Sequence, residues 1–154
     1  MSANVVGAPT SRWSSQALHR ARVEPAYGAF LMLWIGFFLI PLVFGLDKFF
    51  NVLANWEGYL APWVVSVSPF SAHTVMLIVG VVEIAAAVTV ALKPRLAAYV
   101  VALWLAGIIV NLLTYPGFYD VALRDFGLLV AALALARLAK TYAPTRNRSG
   151  HATR

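Results

Sequence analysis

The sequence has no cysteine, only three histidines and little charge, and each shortage excludes a chemistry. Without cysteine this chain makes no disulfide, no thiolate nucleophile, no persulfide and no iron–sulfur ligation. His19 and His151 lie in the terminal segments and His73 stands alone at the start of an apolar run. That scatter excludes a haem held by paired histidines, and no metal-ligand spacing occurs. His73 reads instead as a hydrogen-bonding residue at an interface. There is no Gly-rich phosphate loop and no GxSxG elbow. Redox chemistry would therefore belong to a bound cofactor or a partner, and the expectation is no intrinsic cofactor.

What is there in abundance is apolar surface. Hydrophobic residues make up 61% of the 154 and charged ones 12%, against roughly 45–50% and about 25% in soluble domains. The composition is that of an integral membrane protein in a single domain. A helix needs about 20 residues to cross the hydrocarbon layer. Four runs of that kind occur, over residues 26–46, 74–92, 96–113 and 121–138. Pro41 lies inside the first, and the turn Lys93-Pro94-Arg95 separates the second from the third. Gly36, Gly80, Gly107 and Gly127, with the pairs Ala102/Ala106 and Ala132/Ala136, read as sites where helices pack closely.

The expected fold is an all-α integral membrane four-helix bundle spanning residues 26–138, with a basic segment at 1–25 and a basic tail at 139–154. Residues 14–22 read either as a short basic helix on the membrane surface, anchored by Trp13, or as an unstructured tail. Residues 49–72 are too broken by Gly58, Pro62 and Pro69 to span, yet carry Trp56, Tyr59, Trp63 and Phe70. A short helix over 49–57 followed by an extended or re-entrant interfacial segment is expected there, more simply as an aromatic belt than as a lid over a ligand.

Charge sets the orientation. The two terminal segments, Arg137 and the Lys93–Arg95 turn hold ten of the twelve Lys and Arg residues. Both termini are thus expected on the cytoplasmic side of the cell (inner) membrane. This also accounts for the net charge of +6 without nucleic acid, which is not an expected partner.

That orientation gathers six residues into one region. Asp47 and Lys48 end the first span at the outer boundary, Asn111 ends the third there, and Arg124 and Asp125 begin the fourth there. Glu83 lies in the middle of the second span, about 13 Å below its outer start. A charge at that depth costs roughly 2.5–3.5 kcal/mol on insertion scales and needs a partner. A Glu83–Arg124 contact is expected, with Asp125 turned toward Lys48 or Asn111 and Asp120 as the competing local partner of Arg124. Two readings stand side by side: a pocket for a quinone-type head group or small anion, and a polar network that fixes helix register without a ligand.

GLDKFFN after the first span, VGVVEIAAAVTVAL in the second, the short basic turn and ALRDFGLLVAALALARLA in the fourth together resemble the DoxX-like family of small four-helix membrane proteins. The similarity covers residues 26–138. It implies a part in a redox assembly and functional roles for Asp47 and Lys48, for Glu83, and for the Arg124–Asp125 pair. The leading expectation is a small membrane subunit of a respiratory or redox assembly, not catalytic alone, that anchors a partner or contributes to a quinone or lipid site. Its partners would be membrane lipid and other subunits or further copies of the chain. The alternatives are a quinone-reducing thiosulfate or sulfur oxidoreductase subunit with Glu83 as proton carrier, and a small-molecule transporter or lipid-binding membrane protein.

Overall fold

Proline punctuates this chain. In the computed structural model, which describes residues 10–143, three helices begin at a proline that follows a non-helical residue: Pro25 after Glu24, Pro62 after Ala61 and Pro94 after Lys93. Proline biases the preceding residue away from helix and is itself suited to the first helical position. The elements are α1 (Thr10–Val23), α2 (Pro25–Asp47), a 3₁₀ turn (Trp56–Tyr59), α3 (Pro62–Val67), α4 (Ala72–Leu92), α5 (Pro94–Leu113) and α6 (Tyr119–Tyr142). Among the described residues there is no strand. The expected anchoring by the Trp13 side chain, and the basic tail from residue 144 onward, lie outside the residues whose side chains are described.

Three helices, α2, α4 and α5, are long and apolar enough to cross a membrane. The fourth long helix, α6, has 24 residues but carries Asp120, Arg124, Asp125, Arg137 and Lys140. The four long helices pack pairwise, α5 on α6 and α2 on α4 most extensively, with α2 on α6 and α4 on α5 closing the circuit. At the end where α2 begins, Phe30, Val90 and Leu135 are fully buried among Ala97, Ala98, Ala132, Ala136 and Ala139. The alanines let α5 and α6 approach closely, as their spacing in the sequence suggests. Pro94 has no N–H to give the carbonyl of Val90 four residues back, and Trp34 of α2 donates its indole N–H to that oxygen at 2.8 Å.

The contact between α2 and α4 is set by a glycine pair. A Cβ at Gly45 would lie 2.8 Å from the Gly80 carbonyl oxygen, and one at Gly80 would lie 2.8 Å from that of Gly45. Of the four glycines expected at helix contacts, Gly80 alone fills that role. Gly36, Gly107 and Gly127 face open space, which in a membrane protein is where lipid or another chain lies.

The α1 helix, longer than the expected 14–22, is tied to the bundle by one carboxylate. Glu24 accepts from Tyr142 O–H at 2.6 Å and from Arg20 Nε at 2.9 Å, while the Arg20 guanidinium lies over the Tyr27 ring at 4.5 Å and the Tyr142 ring at 5.5 Å. The Tyr142 hydrogen bond, then that of Arg20, holds the Glu24 carboxyl below its ordinary range.

Two outcomes follow. Gly45→Ala should cost about 1–3 kcal/mol in denaturant unfolding in micelles, because the added methyl meets backbone, whereas Gly107→Ala should be neutral or slightly stabilising. Because its folded-state pKa is lowered, Glu24 contributes attachment of α1 in full above about pH 4.3, the ordinary glutamate value, and loses it as pH falls through the lower folded value. Protection of the α1 amides, taken relative to the intrinsic exchange rate at each pH, should therefore fall in acid in the wild type and already be lowered at neutral pH in Glu24→Gln.

Candidate functional site

Because Gly45 and Gly80 touch, Gly45, two residues before the end of α2, lies level with a point eight residues, about 12 Å, inward from the start of α4. Asp47 and Lys48, which the sequence places at the end of a span, are both buried in the bundle. Lys48 passes over Gly80, its Cβ 3.2 Å from where a Gly80 Cβ would stand, and its Nζ reaches Glu83 Oε2 at 2.7 Å. The two side chains are 3% and 12% exposed. Glu83 thus takes its cation from α2. The expected Glu83–Arg124 contact is not formed: Arg124, 62% exposed, turns outward and pairs with its neighbour Asp125, Nε to Oδ1 at 3.2 Å. Lys48 wins because it lies directly across the glycine contact, while Arg124 leaves the bundle on the outer face of α6. Nor does Asp120 take Arg124, although its i−4 spacing permits it.

Asp47 organises the chain above the pair. Its carboxylate accepts the backbone N–H of Val52 at 3.0 Å, that of Leu53 at 3.2 and 3.0 Å, and the Trp56 indole N–H at 2.7 Å. Its own carbonyl accepts from Phe50 and Asn51. Asn51 has φ of 51°, the left-handed region that asparagine tolerates. These bonds draw the amides away from helical partners, so the short helix expected over 49–57 is replaced by a turn and an open loop. Trp56 then lies with its ring 3.8 Å from Lys48 Nζ, a cation–π contact strengthened by burial.

The aromatic segment does more than line an interface. From Trp56, flanked by Phe44, ring contacts continue through Tyr59 to Phe118 and Tyr115. Asn111 joins neither the ion pair nor Asp125. Its side chain spends both groups on the cap, Oδ1 accepting from Ala61 N–H at 3.0 Å and Nδ2 donating to Tyr59 carbonyl at 2.8 Å. Tyr115 O–H donates to Gly58 carbonyl at 3.0 Å, and Trp63 Nε1 to Thr114 Oγ1 at 2.7 Å. His73, exposed, contacts Glu57 at 2.9 Å. Phe70, by contrast, is outward-facing and half exposed, as a belt residue would be. Burial pushes the Tyr115 hydroxyl up from its ordinary range.

Comparison with protein-family models, with curated proteins and with solved structures finds no significant match for this chain. The site is therefore read from its own geometry. Of the six residues that the sequence singles out, Asp47, Lys48 and Glu83 come together around Trp56, and Asp125 is buried with Arg124 as its partner. Asn111 serves the cap and Arg124 the outer face. Sequence reasoning missed Trp56 as the common partner of Asp47 and Lys48. The signal was a tryptophan shortly after Asp-Lys, but only the loop geometry reveals it. Among the described residues no group of three or more His, Cys, Asp or Glu side chains is placed to hold a metal. What remains is a buried ammonium–carboxylate pair with an aromatic face above it. It offers a donor, an acceptor and a flat surface.

Lys48→Met and Glu83→Leu should each cost about 3–5 kcal/mol, because each leaves a charge buried without its partner. The double variant should lose far less than the sum. Arg124→Ala should cost less, about 1–3 kcal/mol, because Arg124 itself is exposed but its removal leaves the buried Asp125 carboxylate without its partner. Denaturant unfolding in micelles measures all four.

Proposed function

We propose that this chain is a four-span protein of the cell membrane with both termini cytoplasmic, and that it serves a redox assembly as a small subunit contributing a site for a quinone head group. The fourth span is α6. Its charges lie in its first two turns and its last two, leaving the apolar stretch 126–136 between them, and long basic side chains near helix ends reach out to the interface. The charge division supports the orientation. One end holds Arg20, Arg22, Lys93, Arg95, Arg137 and Lys140 against Glu24, and the other half holds five acids, Asp47, Glu57, Glu83, Asp120 and Asp125, against Lys48 and Arg124.

The observation that carries the ligand reading is the Lys48–Glu83 pair beneath Trp56. An ion pair whose only task is to fix register is equally served by a purely aliphatic cover. Here the cover is an indole joined to further aromatic rings, and the pair presents both a donor and an acceptor. A quinone carbonyl accepts from an ammonium, a quinol hydroxyl donates to a carboxylate, and a flat ring stacks on an indole. The head group would enter between helices from the lipid, which suits a ligand dissolved in the bilayer. The resemblance to DoxX-like proteins, carried by the same Asp-Lys, Glu and Arg-Asp positions, agrees with this reading. With no cysteine to hold an iron–sulfur cluster, the electron-carrying group on this reading is a bound cofactor or belongs to a partner subunit.

Purification in mild detergent followed by solvent extraction tests the proposal. The wild type should retain quinone at close to one per chain. The double variant Lys48→Met/Glu83→Leu, which keeps the fold by the argument above, should retain at least tenfold less. Wild-type protein free of quinone, or equal quinone in the double variant, would contradict it.

A further inference from the structure

The end of the molecule opposite the ion pair carries a feature that the quinone reading does not use. Of the six exposed bases gathered there, Arg20 is spent internally on Glu24 and the rings of Tyr27 and Tyr142. The other five, Arg22, Lys93, Arg95, Arg137 and Lys140, are exposed and come from three different places: α1, the α4–α5 turn and the last turns of α6. Glu24 is the sole acid at this end, and Arg20 and Tyr142 already occupy it. The rim is therefore uncompensated positive charge.

Beside it, α1 exposes apolar groups that have no cover. Ala17 and Ala21 are half-buried on the side facing α2, where the Ala21 carbonyl lies within 2.9 Å of a Cβ built at Gly28. On the outward side, Leu18 is 62% exposed and Val23 66% exposed, next to His19 and Arg22. A helix that carries basic and apolar residues together on its outward surface suits the boundary between head groups and acyl chains. The Arg20–Glu24–Tyr142 link holds α1 at that end of the bundle, so its apolar groups and the basic rim meet the same leaflet.

We propose that this end is a binding surface for anionic phospholipid head groups, with α1 seated in the interface and Arg22, Lys93, Arg95, Arg137 and Lys140 holding the phosphates. The argument is charge complementarity: five exposed cations from separate elements converge where the cytoplasmic leaflet presents anionic lipid. It requires the helices to span a membrane and is independent of the quinone site.

The test uses the intact chain exchanged into mild detergent with either phosphatidylglycerol or phosphatidylcholine, and native mass spectrometry to count retained lipid. Phosphatidylglycerol should be retained in preference. The preference should weaken about fivefold for each base removed, and it should shrink as salt shortens the screening length. Since these bases also direct insertion, the variants are pairs, Arg22→Gln/Arg95→Gln and Arg137→Gln/Lys140→Gln, and the salt titration is done on the unaltered protein. Equal retention of the two lipids by the wild type, or a preference unmoved by salt and by both pairs, would overturn the proposal. So would a co-purifying polypeptide that the paired variants release while lipid retention stays unselective, since it would put a protein on this end.

Discussion

A carboxylate in the middle of an apolar helix must be answered, and in this protein Lys48 answers it. The 2.7 Å contact with Glu83 explains more of the structure than any other. It requires that α2 and α4 touch, which the Gly45–Gly80 pair permits. It also requires that α2 end well inside the level at which α4 begins, so that the ammonium stands opposite the acid. The space left above the end of α2 must then be filled, and the aromatic segment between α2 and α4 fills it. Asp47 gathers the loop amides, Trp56 covers the ammonium and Asn111 fastens the cap from α5. An isolated buried pair is poor evidence of stability, because desolvation offsets much of the attraction. Its value lies in specifying one register, since sliding α2 by a turn would strand both charges.

Much of this was legible in the residues. Apolar runs of spanning length, with Lys93-Pro94-Arg95 dividing the second from the third, located the long helices to within a few residues. The alanines at four-residue spacing in α6 marked a close contact, and Glu83 marked the place where polar groups had to gather. The identity of its partner was not legible. The sequence puts Lys48 at the end of an apolar run, and a span end suggests a membrane boundary. Only the glycine contact, invisible to hydropathy, shows that α2 stops short. Arg124 lost its expected role for a related reason. Rotation of α6 about its axis decides whether that guanidinium faces inward, and a helix with apolar residues on every side does not declare its rotation. Gly36, Gly107 and Gly127 misled similarly, since spacing alone does not separate a contact glycine from one facing lipid.

The two ends of the molecule divide the labour. One is basic, closed by rings and alanines, and clamped by Glu24 to α1. The other is acidic, built around a charge pair and roofed by a cap whose hydrogen bonds come from side chains of α2, α5 and the α5–α6 turn. On the proposed function, a head-group site beneath such a roof would draw its ligand from the bilayer, and the basic end would fix which way that roof faces.

Infrared difference spectroscopy of the intact protein against Glu83→Gln tests the central interaction most directly, because it reads the charge state of that one side chain. An ion pair predicts that the substitution removes an ionised carboxylate band and leaves the protonated-acid region unchanged. Loss of a protonated carboxylic acid band would mean that Glu83 is neutral in the folded protein, and that Lys48 is not its ionic partner.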